Sequence, residues 1–202
     1  MSARTAIILI ISGALLHGCV TIEPSPPTAF YLLGAPSTQP LPETGPGPGI
    51  GIGPLKLPEH LRRPQIVSRS GGHGALVADF HHWAGDLEQN MLDVLIQQLG
   101  ARSGIRRVSR YPWPSHASPD YQIRLDILRF DGALGGEVVL SGGWSLLDST
   151  GRRELGNERF ILRENARGAD HQSYVATLNA LLLRLGEQIG DAIGRRRARH
   201  GE

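Results

Sequence analysis

The chain has 202 residues, 40% of them hydrophobic and 20% charged, which is enough for one domain with a real core plus a tether. A formal net charge of +2 does not suit an electrostatic nucleic-acid binder. With one cysteine there is no intrachain disulfide, so stability must come from packing.

Arg4 is the only charged residue ahead of an apolar run from Ala6 to Leu16. That run is too short to cross a bilayer, which takes about 20 apolar residues, and it reads as the middle of a signal peptide over residues 1–18. Leu16, His17 and Gly18 lead into Cys19, so a small residue stands directly before the only thiol. The pattern resembles the lipobox of bacterial lipoproteins. That implies signal-peptidase recognition through Leu16 and Gly18 and lipidation of Cys19. The alternative is an ordinary secreted chain with a chance cysteine, which leaves an unpaired thiol that acylation would consume. One acyl chain holds a protein only marginally, and several hold it permanently, at about 0.8 kcal/mol per buried methylene. Val20 follows the cysteine, where many inner-membrane lipoproteins have Asp. The expected location is therefore the outer membrane, facing the periplasm.

Residues 19–48 form a Pro-rich tether, with prolines at 24, 26, 27, 36, 40, 42, 46 and 48. Fully extended, Val20 to Pro48 would reach about 100 Å. Its one interruption, Phe30 to Leu33, is suited to an edge strand.

The domain is expected over residues 49–194. Gly49, Ile50, Gly51, Ile52 and Gly53 do not make a phosphate loop, because Pro54 follows where such loops open a helix. They read as a strand with glycines where another backbone passes closely. Residues 61–69 and 75–78, joined by Gly71, Gly72, His73 and Gly74, read as a hairpin. Asp79 is placed to cap a helix to about Gln98, with Phe80, Trp83, Leu87, Met91, Val94, Leu95 and Leu99 on its apolar face. A short strand at Val108 precedes Tyr111-Pro112-Trp113-Pro114.

Tyr121, Ile123, Leu125 and Ile127 alternate with polar residues, and strands over 137–147 and 153–162 follow through short links, which favours antiparallel pairing. A final helix from about Ser173 to Ile193 carries a stripe through Tyr174, Leu178, Leu181, Leu182, Leu185 and Ile189. The expected fold is a single-domain α+β layer: a largely antiparallel or mixed sheet with two amphipathic helices packed on it, after the Pro-rich tether. Residues 195–202, with Arg195, Arg196, Arg197 and Arg199, form a basic tail, either solvated or able to meet anionic headgroups or an acidic partner.

The order of Leu57-Pro58-Glu59, Arg63-Pro64-Gln65-Ile66-Val67, Trp83, Tyr111-Pro112-Trp113, Asp120-Tyr121, Arg129-Phe130-Asp131 and Trp144-Ser145-Leu146 behind a lipobox resembles the ABC-type transport auxiliary lipoprotein family, in its PqiC-like group. His81, His82 and Gly85 depart from that pattern. The resemblance covers nearly the whole mature chain. It implies a membrane-anchored accessory that self-associates as a homo-oligomer and docks on an MCE-domain protein, whose permease and ATPase move phospholipid or another hydrophobic molecule across the periplasm.

For chemistry the residues offer little. No His-Glu-x-x-His is present, and His81 with His82, if helical, diverge by about 100°. No Gly-x-Ser-x-Gly elbow exists. Asp126, Asp131 and Glu137 fall at alternating or turn positions where charge is solvated. No catalytic residue, metal or cofactor is therefore expected. Tyr111 and Trp113, held between prolines, suit either partner anchors or a plug on the core. Arg62 and Arg63 face either a partner or a strand start. A stabilising envelope lipoprotein or a lipid-binding module would share these features.

Overall fold

The structure, a computed structural model, describes residues 25–34, 47–102, 105, 107–113 and 118–200. Leu16, Gly18 and Cys19, with the whole signal segment, lie outside the described residues. The architecture is α+β, with mixed parallel and antiparallel pairing. The strands divide between two sheets instead of sharing one.

The larger sheet has the order β5-β2-β6-β7-β8, formed by Arg107–Arg110, Gly49–Lys56, Tyr121–Gly132, Glu137–Asp148 and Glu154–Asn165. The short turns predicted between β6, β7 and β8 give antiparallel neighbours. β2 runs parallel to both β5 and β6, because a helix and a long loop separate them in sequence.

β6 begins with Ile123, Leu125 and Ile127 buried and Arg124, Asp126 and Leu128 exposed. A bulge between Ile127 and Arg129 then inserts one residue, so Phe130 is the next side chain to point inward. Asp131 is thereby carried to the other face.

The smaller sheet has the order β1-β4-β3, formed by Ala29–Tyr31, Gly74–Trp83 and Gln65–Ser70. β3 and β4 are the predicted antiparallel hairpin, and β1 is the edge strand expected of Phe30 to Leu33, parallel to β4.

Helix α1 spans Leu87–Arg102 and helix α2 spans His171–His200. The start expected at Asp79 is wrong: Phe80, His81, His82 and Trp83 lie in β4, a strand that pairs with β1 on one side and β3 on the other. Spacings of three and four among Phe80, Trp83 and Leu87 mimic a helix. Sheet pairing overrides them, since the Trp83 N–H donates to Pro64 O at 2.7 Å and the Ala84 N–H to Tyr31 O at 2.9 Å. The cap is Asp86, whose Oδ1 accepts the Gln89 N–H at 2.9 Å. His81 and His82 therefore point to opposite faces of a strand.

Met91, Leu95 and Leu99 of α1 and Leu178, Leu181, Leu182, Leu185 and Ile189 of α2 close over Ile50, Ile52, Ile123 and Leu140 in one core. Trp83 joins this core from its strand. Among the described residues no helix is long and apolar enough to cross a membrane.

Candidate functional site

The segment from β1 to Gly34 is bolted to the domain. Asn90, on the first turn of α1, accepts the Leu33 N–H at 2.8 Å and donates its amide to the Leu33 carbonyl at 3.0 Å, imitating a strand neighbour. Asn179 of α2 accepts the Gly34 N–H at 3.1 Å, and Leu33 itself is buried. The Tyr31 hydroxyl meets His81 Nδ1 at 2.8 Å, and the His81 ring stacks on His171 with centroids 3.7 Å apart.

These contacts perturb the titrating groups. Burial, followed by the Asp170 charge, raises the Tyr31 phenol. Burial, followed by His81, lowers His171, against an opposing pull from Asp170. Asp170 caps α2 by accepting the Ser173 N–H at 2.8 Å, and that bond lowers its own carboxyl.

The predicted contact residues fall in two places. Arg62 and Arg63 border a groove of about 430 Å³ between the loop after β2 and the start of α1, floored by Leu57, Leu61 and Leu87. Arg62 is half-exposed and lies 3.9 Å from both Glu59 and Glu88. Burial and then Asp86 raise the Glu88 carboxyl, while Arg62 opposes them.

Tyr111 and Trp113 form an edge-to-face pair with centroids 5.3 Å apart, laid on β2. A Cβ at Gly51 would sit 2.8 Å from Trp113 Cζ3, and one at Gly53 would sit 2.9 Å from Tyr111 Cβ. The backbone approach expected at these glycines is corrected: the atoms that crowd Gly51 and Gly53 belong to the side chains of Trp113, Pro119 and Tyr111. Gly53 also has φ of 108°, which L side chains rarely adopt. Trp113 is half-buried and Tyr111 is 45% exposed, so the pair covers the strand and still presents an aromatic edge. The structure does not bring Arg62 and Arg63 together with Tyr111 and Trp113 in one pocket.

Asp131 corrects the expectation of a solvated charge. It is 1% exposed, and its Oδ2 accepts Arg69 Nε at 2.9 Å while its Oδ1 accepts Arg129 Nη2 at 2.8 Å. Burial pushes the Asp131 carboxyl up, but the bonds from Arg69 and then Arg129 outweigh it and hold it below the usual carboxylate range. The two guanidiniums arrive from different sheets, so the cluster fastens β3 to β6. The break in β6 alternation from Ile127 to Phe130 marks the inserted residue but puts Asp131 on the face of Arg124 and Asp126, and no local pattern shows that Arg69 covers it there. Asp126 and Glu137 are exposed as expected, Glu137 accepting Arg163 Nη1 at 2.9 Å.

On the open face of the larger sheet, Leu128 and Ile161 are 64% and 65% exposed on either side of Ser141. Along the free side of β8, Arg184 and Arg196 of α2 donate to the Arg163 and Leu155 carbonyls. These charged side chains blunt that edge against strand addition. Among the described residues no three His, Cys, Asp or Glu side chains gather to hold a metal ion.

A family model described as the ABC-type transport auxiliary lipoprotein component matches residues 31–190. A crystal structure of an uncharacterized protein aligns with a TM-score of 0.68 at 19% identity, covering 83% of this chain and 99% of the other. Another, from Xanthomonas campestris and assigned to the family model DUF330, gives 0.70 at 15% identity, covering 86% and 99%. At these identities the likeness is one of fold. No curated protein matches the sequence significantly.

Proposed function

The chain belongs to the ABC-type transport auxiliary lipoprotein family, and from that premise we infer that it is a non-catalytic docking component of a lipid-transport system, anchored to the outer membrane through Cys19. The observation that carries this reading is the family match over residues 31–190, standing directly behind a cysteine in a signal-peptidase motif. The domain then faces the periplasm and serves as an adaptor for an MCE-domain protein rooted in the inner membrane. Homo-oligomerisation presents several copies of the contact surface together.

Tyr111, Trp113, Arg62 and Arg63 are the contact residues in this reading. A partly exposed aromatic pair on a rigid strand and an arginine-bordered groove are the residue types that anchor interfaces. Among the described residues the groove beside Arg62 and the one beside Trp144 are both open to solvent and lined by charged as well as apolar side chains, which favours an adaptor over a carrier.

Two measurements test the reading. Intact mass of the membrane-extracted protein is expected to show a chain starting at Cys19 and carrying acyl groups. Affinity purification in mild detergent is expected to recover an MCE-domain protein with its permease and ATPase. Recovery of envelope-assembly proteins with no MCE partner would overturn the transport role in favour of a stabilising lipoprotein.

A further inference from the structure

β1 sets both the length of the membrane leash and the end of the domain that meets the membrane. Because Asn90 and Asn179 hold Leu33 and Gly34, and Tyr31 pairs with Trp83, only the residues before Ala29 separate the fold from Cys19. The reach is a fraction of that expected of residues 20–48. From Cys19 to Phe30, a Pro-rich chain spans at most about 34 Å at ~3.1 Å per residue.

The direction of β1 then selects one end of the domain. β1 is parallel to β4, with Phe30 beside His82, so the chain enters from the end where β4 begins, at the β3–β4 turn. Between the Gln65–His82 and Ser70–Gly74 pairs, β3 covers about 17 Å at ~3.4 Å per residue. A leash continuing in the direction of β1 would spend about half of its length passing the hairpin. Its remaining reach beyond the turn is then about 15–20 Å at full extension, and any bend shortens it toward the depth of the headgroup layer, itself about 5–7 Å.

The chemistry of that turn matches such a surface. Every residue from Ser70 to Val77 is exposed, and Ser70 to Ala78 contains no Asp, Glu, Lys or Arg. Leu76 and Val77 are 54% and 42% exposed, and as neighbours on a strand they put apolar side chains on both faces of the hairpin. Arg69, the nearest cation, is turned back onto Asp131.

The geometry points to the β3–β4 hairpin as a membrane-contacting element: Leu76 and Val77 enter the headgroup region of the bilayer that holds the acyl chains of Cys19, fixing the orientation of the domain. A second protein is not the occupant, because the leash leaves the turn too close to the lipid for an intervening domain. This proposal rests on acylation of Cys19.

The test uses the full acylated lipoprotein in vesicles of phosphatidylethanolamine and phosphatidylglycerol. An environment-sensitive fluorophore is placed on His73→Cys, and separately on Ser149→Cys in the β7–β8 turn, at the other end of the β6–β7 ladder from Asp131. Headgroup-depth spin-labelled lipid is expected to quench the label at position 73 at least threefold more than that at 149. Leu76→Ser with Val77→Ser, both exposed and compatible with folding, is expected to bring the two labels within twofold of each other while the protein stays vesicle-bound. Equal quenching at 73 and 149 in acylated, vesicle-bound protein would overturn the hairpin proposal alone. A chain recovered without acyl groups would overturn the anchoring reading, and the hairpin proposal with it.

Discussion

The Tyr174 hydroxyl donates to the Val67 carbonyl at 3.0 Å, and the same oxygen accepts the Gly132 N–H at 3.0 Å. One side chain of the last helix therefore satisfies backbone groups in both sheets, at full burial. Burial raises the phenol above its ordinary value, so it remains a neutral donor through the physiological range. Tyr174→Phe keeps the ring and strands a buried carbonyl and N–H, which costs about 1–3 kcal/mol. Urea denaturation is expected to show a lower midpoint with an unchanged slope. A midpoint equal to that of the wild type would show that the two sheets do not depend on this hydroxyl.

Asp131 makes stability depend on acid pH with a definite sign. Its folded carboxyl is held below the ordinary Asp value, so its contribution is fully present above about pH 3.9 and is lost as pH falls below that through the folded value. Asp131→Asn removes the charge that Arg69 and Arg129 meet. At neutral pH it is expected to cost about 1–3 kcal/mol, toward the low end because both guanidiniums are partly solvated. The gap between wild type and variant should narrow as pH drops from 4 toward 2. A gap independent of pH would show that the loss is one of shape and not of charge.

What the sequence disclosed depended on whether one rule acted alone. The strands through Ile123 and Val139, the hairpin at Gly71 and the stripe from Tyr174 to Ile189 were readable, since local periodicity and burial agree there. At Phe80 to Trp83 helical spacing and strand pairing competed, and partners distant in sequence, Tyr31 and Pro64, decided the outcome. Asp131 was misread because its burial is supplied from outside β6: the inserted residue puts it on the face of Arg124 and Asp126, and Arg69, more than sixty residues earlier in the chain, returns to cover it there. Asn90 gave no signal at all: an exposed-looking amide in an amphipathic helix becomes a clamp only because Leu33 returns to it from far along the chain.

Gly51 and Trp113 are expected to be energetically coupled. A methyl group at Gly51 would meet Trp113 Cζ3 at 2.8 Å and Pro119 Cγ at 3.0 Å, so Gly51→Ala must displace the indole and is expected to cost about 1–3 kcal/mol. In a Trp113→Ala background the same substitution should cost less, with a coupling energy of about 0.5–2 kcal/mol in a double-mutant cycle. If the aromatic pair anchors a partner, Tyr111→Ala should weaken MCE recovery with little change in the unfolding midpoint, since Tyr111 is the more exposed ring. Strict additivity of Gly51→Ala and Trp113→Ala would show that the indole does not fill the glycine gap.

The stacked rings of His81 and His171 should make attachment of β1 sensitive to mild acid. His171 is held below its ordinary value by burial and then by His81, while Asp170 acts in the opposite sense. The adjacent N-terminus of α2 also disfavours an imidazolium, and Tyr31 faces His81 through its neutral hydroxyl. The folded state thus binds fewer protons than the unfolded one between the lowered value and about 6.5. Stability is complete above that window and declines as pH falls through it. Amide exchange at Ala29, Phe30 and Tyr31, corrected for intrinsic rates, is expected to be several-fold faster at pH 5.5 than at 7.5. His171→Phe keeps a stacked ring without the charge and should remove most of that difference. Equal pH dependence in the wild type and His171→Phe would refute the linkage.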